Sequence, residues 1–185
     1  MRTINNKKIP VILDTDIGME IDDTWALGFL LKCPEFDVKL ITTSTDDTKI
    51  KATLVAKFLE IAGRTDIPIG IGPSENNKKG DLYNWIKDYK LSEYSGTVHE
   101  NGMEVLCSTI MDSPEPVTLI AIGPLTTVAG ALKMNANITE NARFVGMHGS
   151  IRFGYLGKPS PHREYNVVRD IKACRDVFHA PWEKT

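Results

Sequence analysis

Short unbroken apolar runs alternate along this chain with longer stretches of helical period. Pro10-Val11-Ile12-Leu13 is apolar and rich in β-branched residues, and it predicts a buried strand running into Asp14. Trp25, Leu27, Gly28, Phe29, Leu30 and Leu31 then predict a helix. Cys33-Pro34-Glu35-Phe36 breaks the pattern; Asp37 to Thr43 predicts a second strand and Ser44 to Thr48 a polar turn. From Lys49 to Ala62 the apolar residues Ile50, Leu54, Val55, Phe58, Leu59 and Ile61 recur at helical spacing, and Gly63 supplies a stop. Ile67 to Ile71 predicts a third strand. This β-α-β-α order predicts an α/β fold, an open, mostly parallel sheet covered by helices on both faces, Rossmann-like in plan.

Residues 73–100 depart from that rhythm. They are polar around Asn76-Asn77-Lys78-Lys79-Gly80 yet carry Leu82, Tyr83, Trp85, Ile86, Tyr89, Leu91 and Tyr94. A long loop with many aromatics reads as a lid-like excursion, or as one whose rings simply pack on the body. Regular patterning then resumes with a helix from Gly102 to Met111, a strand from Pro116 to Ile122, and a turn at Gly123-Pro124-Leu125-Thr126-Thr127 leading into a helix to about Met134. Arg143 to Met147 predicts another strand and Gly149 to Arg163 a loop. Glu164 to Val168 follows, and Asp170 opens a last helix to about His179.

Composition narrows the function classes. The chain has 185 residues, 42% of them hydrophobic and 25% charged, enough for one domain with a real core. A net charge of −2 offers no electrostatic footprint for nucleic acid or an anionic membrane. No apolar run has the length of a membrane span, and no signal-peptide apolar region follows the basic N-terminus, so the expected location is cytoplasmic. Cys33, Cys107 and Cys174 form no Cys-x-x-Cys pair and read as free thiols.

The candidate chemistry sits just after the first strand. Asp14, Asp16, Glu20, Asp22 and Asp23 place five carboxylates within ten residues, and such a cluster is costly without a positive partner. One or two acids are explained as helix-capping residues. Asp14 and Asp16, at the end of an apolar strand, are not. Hard cations take oxygen ligands, and ligands in open α/β sheets bind beyond the strands' carboxyl ends. The cluster therefore predicts a Ca²⁺- or Mg²⁺-type site.

Asp14-Thr15-Asp16-Ile17-Gly18, followed by Asp22-Asp23 and Ala26-Leu27, resembles the N-terminal signature of the nucleoside hydrolase family of inosine-uridine-preferring type. Further segments resemble it in family order: Ala62 to Ile69, Gly123-Pro124-Leu125-Thr126-Thr127, Val145-Gly146-Met147-His148-Gly149, Glu164-Tyr165-Asn166, and Asp170 to Trp182. The resemblance spans essentially the whole chain. It implies hydrolysis of a ribonucleoside's N-glycosidic bond, purine or pyrimidine, with Ca²⁺ as cofactor, a small-molecule substrate, neither nucleic acid nor membrane as partner, and a possible homo-oligomer.

By position, the resemblance makes Asp16 and Asp23 metal ligands together with the backbone carbonyl of Ile122. Asp16 is then also the catalytic base, and Asp14 supports the metal shell. Asp22, Glu164 and Asn166 hold ribose hydroxyls, and Met147 lines the sugar.

Three departures accompany it. Met19-Glu20-Ile21 lengthens the Gly-to-Asp-Asp spacing. Asp47, beside Asp46, stands where many members carry Asn. The family is also longer, and its C-terminal part supplies another metal-coordinating Asp and, in several members, a His that protonates the leaving base. The expectation is one nucleoside hydrolase-like domain over 1–185, incomplete at its C-terminus, with weak metal binding and poor turnover by itself.

The alternative is a truncated, catalytically weak or inactive homologue that binds a metal, a ribose-like ligand or a partner chain. A phosphatase of the haloacid dehalogenase type shares the Asp14-Thr15-Asp16 pattern, but Asp22-Asp23 and Glu164-Tyr165-Asn166 speak against it.

Overall fold

The computed structural model describes residues 7–183; the first six residues of the basic N-terminus, and Lys184 and Thr185, lie outside it. Six strands form one sheet: β1 (Ile9–Thr15), β2 (Phe36–Thr43), β3 (Ile69–Gly70), β4 (Val98–His99), β5 (Val117–Ala121) and β6 (Ala142–Gly146). Their spatial order is β4-β3-β2-β1-β5-β6, and every pairing is parallel. The chain leaves β1 for β2 on one side and returns to β5 on the other. The β1–β5 boundary is thus a topological switch point, where a crevice opens beyond the strand ends.

Both faces of the sheet are buried, as an all-parallel sheet requires. Alternate residues of β1 serve opposite cores: Val11 and Leu13 pack with α1 (Asp22–Lys32) and α2 (Thr48–Ile61), whereas Ile12 packs with α4 (Gly102–Met111), α5 (Thr126–Met134) and α7 (Ile171–His179). The helices α3 (Tyr83–Ile86) and α6 (Tyr165–Arg169) are single short turns. No described helix is long and apolar enough to cross a membrane.

The structure corrects the sequence reading in several places. Helix α1 starts at Asp22 rather than Trp25, so both acids of the pair lie in its first turn, where the helix dipole favours negative charge. Trp25 and Phe29 project outward, each 72% exposed. The third strand is cut to Ile69 and Gly70, since Pro68 has no N–H to give the ladder. The excursion contributes β4, α3 and a 3₁₀ turn at Leu91–Glu93, and it buries Ile86 and Tyr94 against the β1–β2 core. A further 3₁₀ turn spans Ala136–Glu140.

Candidate active site

Strand β1 ends at the switch-point crevice, and the chain turns at Ile17-Gly18 just beyond Asp16. Asp14 is fully buried: its Oδ1 accepts from Thr42 Oγ1 at 2.6 Å, and its Oδ2 has no partner among the described residues. Asp16 and Asp23 are each 8% exposed, and Asp23 accepts a hydrogen bond from Thr15 Oγ1. Burial, reinforced by the neighbouring acids, pushes Asp14 up to about 8, Asp16 to about 6 and Asp23 to about 7.

The cluster has a cation that the sequence reading missed. Lys51 is 4% exposed, and its Nζ donates to the backbone carbonyl of Asp16 at 2.6 Å. A signal for it was present. Lys51 precedes Leu54 and Val55 by three and four residues and so shares their inward face. A lysine on such a face calls for acidic partners.

Gly123 explains why the β5 turn reads as it does. A Cβ there would stand 2.7 Å from Asp16 N and 2.9 Å from Asp16 Cβ. Only glycine lets the turn after β5 approach the end of β1 so closely. Ile122 N continues the ladder by donating to Asp14 O at 2.9 Å.

The opposite wall comes from the end of β6 and from α6. Glu164 caps α6, its carboxylate accepting from the backbone N–H groups of Asn166 at 2.9 Å and Val167 at 3.1 Å, and also from Gly149 at 3.0 Å. Asn166 is 3% exposed; its Nδ2 donates to Ile122 O at 2.8 Å and Met147 O at 3.0 Å. Ile122's carbonyl, expected to face a metal, therefore already accepts one hydrogen bond, leaving it one lone pair. Met147 is half-exposed at the rim.

Asn166→Ala is expected to lower stability by about 1–3 kcal/mol, because it leaves two carbonyls without their donor. Urea unfolding measures this directly.

These residues line one cleft of about 1130 Å³. Asp16, Asp22, Asp23, Ile122, Met147, Glu164 and Asn166 all border it, joined by Lys78 from the excursion and His162 from the loop before α6. Asp14 lies beneath its floor. His148 does not border the cleft: its Nε2 donates to Gly123 O at 2.9 Å, and its ring lies among Phe144 and Phe178, where burial lowers its pKa. The neighbouring acids are also explained. Asp47 caps α2 by accepting from Ile50 N at 3.0 Å, while Asp46 accepts from Arg169 Nη2 at 3.1 Å and Asn76 Nδ2 at 2.9 Å.

The donor set suits a hard cation. Every candidate ligand is an oxygen, and the buried Oδ2 of Asp14 has no hydrogen-bond partner among the described residues. No three His, Cys, Asp or Glu side chains among the described residues are gathered around a single point, so the shell these residues offer is partial.

In a chelating buffer, stability is expected to fall as pH rises from 6.5 to 8. The raised carboxyl pKa values mean that the folded chain binds more protons than the unfolded chain in this window. Each excess proton costs about 1.4 kcal/mol per pH unit. Denaturant midpoints at the two pH values check the sign.

A parallel α/β fold with an acid-floored cleft at its switch point defines the class of protein. A model of the inosine-uridine preferring nucleoside hydrolase family matches residues 11–185, and the chain belongs to that family. It is 33% identical over 185 residues to the pyrimidine-specific ribonucleoside hydrolase RihA of Citrobacter koseri, an alignment covering 93% of this chain and 57% of that protein. RihA of Salmonella arizonae matches to the same extent.

Among solved structures, a plant nucleoside hydrolase, PpNRh1, superposes with a TM-score of 0.75 at 26% identity, over 95% of this chain and 58% of that one. An inosine-uridine preferring nucleoside hydrolase from Bacillus anthracis shares the fold with a TM-score of 0.77 at 22% identity, over 95% and 63% respectively. The chain thus spans little more than half the length of these relatives.

Proposed function

We propose that this chain, as a single α/β domain, hydrolyses the N-glycosidic bond of ribonucleosides at the acid-floored cleft. The observation that carries the reading is a single cleft bordered by Asp16, just after β1, and by Asp22 and Asp23 in the first turn of α1, with Glu164, Asn166 and Met147 also on its lining. Asp16 takes a proton from the attacking water as general base, a role open to a carboxylate that borders the cleft.

Asp22 and Glu164 accept hydrogen bonds from ribose hydroxyls. The Oδ1 of Asn166 accepts another, since its amide hydrogens are held by the protein. Met147 packs on the sugar. As the C–N bond lengthens, the carboxylates stabilise the positive charge growing on the ribose. Asp16, Asp23 and the remaining lone pair of Ile122 O hold a divalent cation, with Asp14 orienting them from beneath. Ca²⁺ fits this all-oxygen set, and when bound it supplies the positive charge that lowers the pKa of water. The excursion at 73–100 serves as a lid, with Lys78 on the cleft side.

The names of the RihA relatives make uridine the first substrate to assay and inosine the second. With Ca²⁺ present, the chain is expected to release free ribose slowly, below about one turnover per second, and Asp16→Ala is expected to abolish that release. Release that survives Asp16→Ala, or none from any riboside, overturns the proposal. The partial ligand shell favours a second reading, a catalytically silent homologue that retains riboside binding. Saturable uridine binding without ribose release would select it.

A further inference from the structure

Lys51 has no part in the chemistry just described, yet it is among the most deeply buried charges in the chain. It lies on the inward face of α2 and is 4% exposed, with its ammonium 2.6 Å from the main-chain carbonyl of Asp16. The charges that act on it through space are Asp16, Asp46 and Asp23, which favour the ammonium, and the guanidinium of Arg169, which opposes it. Arg169 is already engaged, by Asp46 at 3.1 Å and Glu75 at 2.8 Å. Lys51 is therefore the buried cation at the β1 end of the cluster among the described residues, Lys78 lying at the cleft's surface. A buried ammonium that donates to a neutral carbonyl recovers only part of its lost hydration. It is retained where surrounding negative charge supplies the remainder.

We infer that Lys51 is a positioning residue, an internal cation that fixes the main chain at Asp16 and offsets the acids around it, so that the acidic floor stays assembled with no metal bound. The proposal separates two jobs that a bound ion would otherwise share. The ammonium holds the loop after β1 in place, and the cleft-facing carboxylate oxygens of Asp16 and Asp23 remain free for a ligand. It also gives a reason for the lysine's place in α2. Four residues on, Val55 packs in the β1–β2 core, so the stem of Lys51 rises from an apolar face and only its tip reaches the acids.

A double-mutant cycle in EDTA tests this, and the chelator makes the outcome independent of whether the cleft binds a cation or a riboside. Lys51→Met is expected to lower the thermal midpoint by about 10 °C, the shift that follows from leaving buried charges unpartnered in a domain of this size. On an Asp16→Asn background, which keeps the carbonyl acceptor but removes the carboxylate charge of the same residue, the same substitution is expected to cost less than half as much. A merely structural lysine would cost the same on both backgrounds.

Equal losses, or no loss in either, overturn the proposal. If Lys51→Met does not accumulate as folded protein, the cycle is run with Lys51→Gln, which removes the charge while keeping a polar N–H donor on a slightly shorter side chain.

Discussion

Gly72→Ala is expected to abolish the folded state. Gly72 leaves the end of β3 where the second strand's exit, α2 and α5 converge. A Cβ at that position would lie 1.9 Å from Thr43 O and 2.4 Å from Thr127 Oγ1. Neither neighbour can step aside at low cost. Thr43 O is main chain at the end of β2, and Thr127 Oγ1 donates to it at 3.1 Å. Gly72 O itself accepts from Thr48 Oγ1 at 2.8 Å, and Thr43 Oγ1 donates to Thr48 O at 3.0 Å.

The knot is buried and joins elements from across the chain, so relieving the clash means separating the β2 and β3 ends from the starts of α2 and α5. Overpacking a well-filled core costs about 1–3 kcal/mol where side chains can adjust. Against main chain the expected cost is above about 4 kcal/mol, a large share of a domain's total stability. Circular dichroism and urea unfolding read it; a variant that melts within a few degrees of the parent would contradict the packing described at this junction.

The second large effect concerns activity. Asp16→Asn is expected to reduce riboside cleavage by at least about 10³-fold, because it removes the general base and, with it, a cation ligand. Its stability is expected to change little, the relief of repulsion among the acids offsetting the loss of negative charge beside Lys51. Asn fills the same space and leaves the Asp16 carbonyl for Lys51, while one buried negative charge leaves a cluster in which Asp14 and Asp23 are already pushed up by burial and by their neighbours. Loss of function at nearly unchanged stability marks a residue held for chemistry rather than for packing. A parallel loss of both, read from ribose release and chemical unfolding on one preparation, would instead make Asp16 part of the scaffold.

These effects arise from residues that differ in how far sequence alone could reveal them. Strands β1, β2, β5 and β6 and helices α2, α4, α5 and α7 were legible because each carries its own apolar period. Strand β4 was not. Val98 and His99 become a strand only by pairing with Ile69 and Gly70, a tertiary contact without local signal.

In the site, Asp14 and Asp16 stood out because uncompensated acids after an apolar strand are costly, and Asp23 because of its place in the family pattern. Their partners did not stand out. Thr42 lies 28 residues from Asp14 and Lys51 35 from Asp16, and Arg169 is 123 from Asp46. Pairings at such separations are set by sheet order. Glu164 and Asn166 show the converse case. Residue type and family pattern marked them for the sugar, while the structure also gives them a cap and two carbonyl clasps to maintain. A substitution at either position therefore reports on the fold as well as on ligand binding.

The central claim is that the carboxylates at the end of β1 are held for a divalent cation beside a ribosyl-binding wall. Equilibrium dialysis of the chain against Ca²⁺ near pH 7.5 tests it most directly. One saturable, weak site per chain is expected, lost in the Asp16→Asn, Asp23→Asn double variant while that variant remains folded. No saturable Ca²⁺ binding by the parent chain, or binding that the double variant retains, would contradict it.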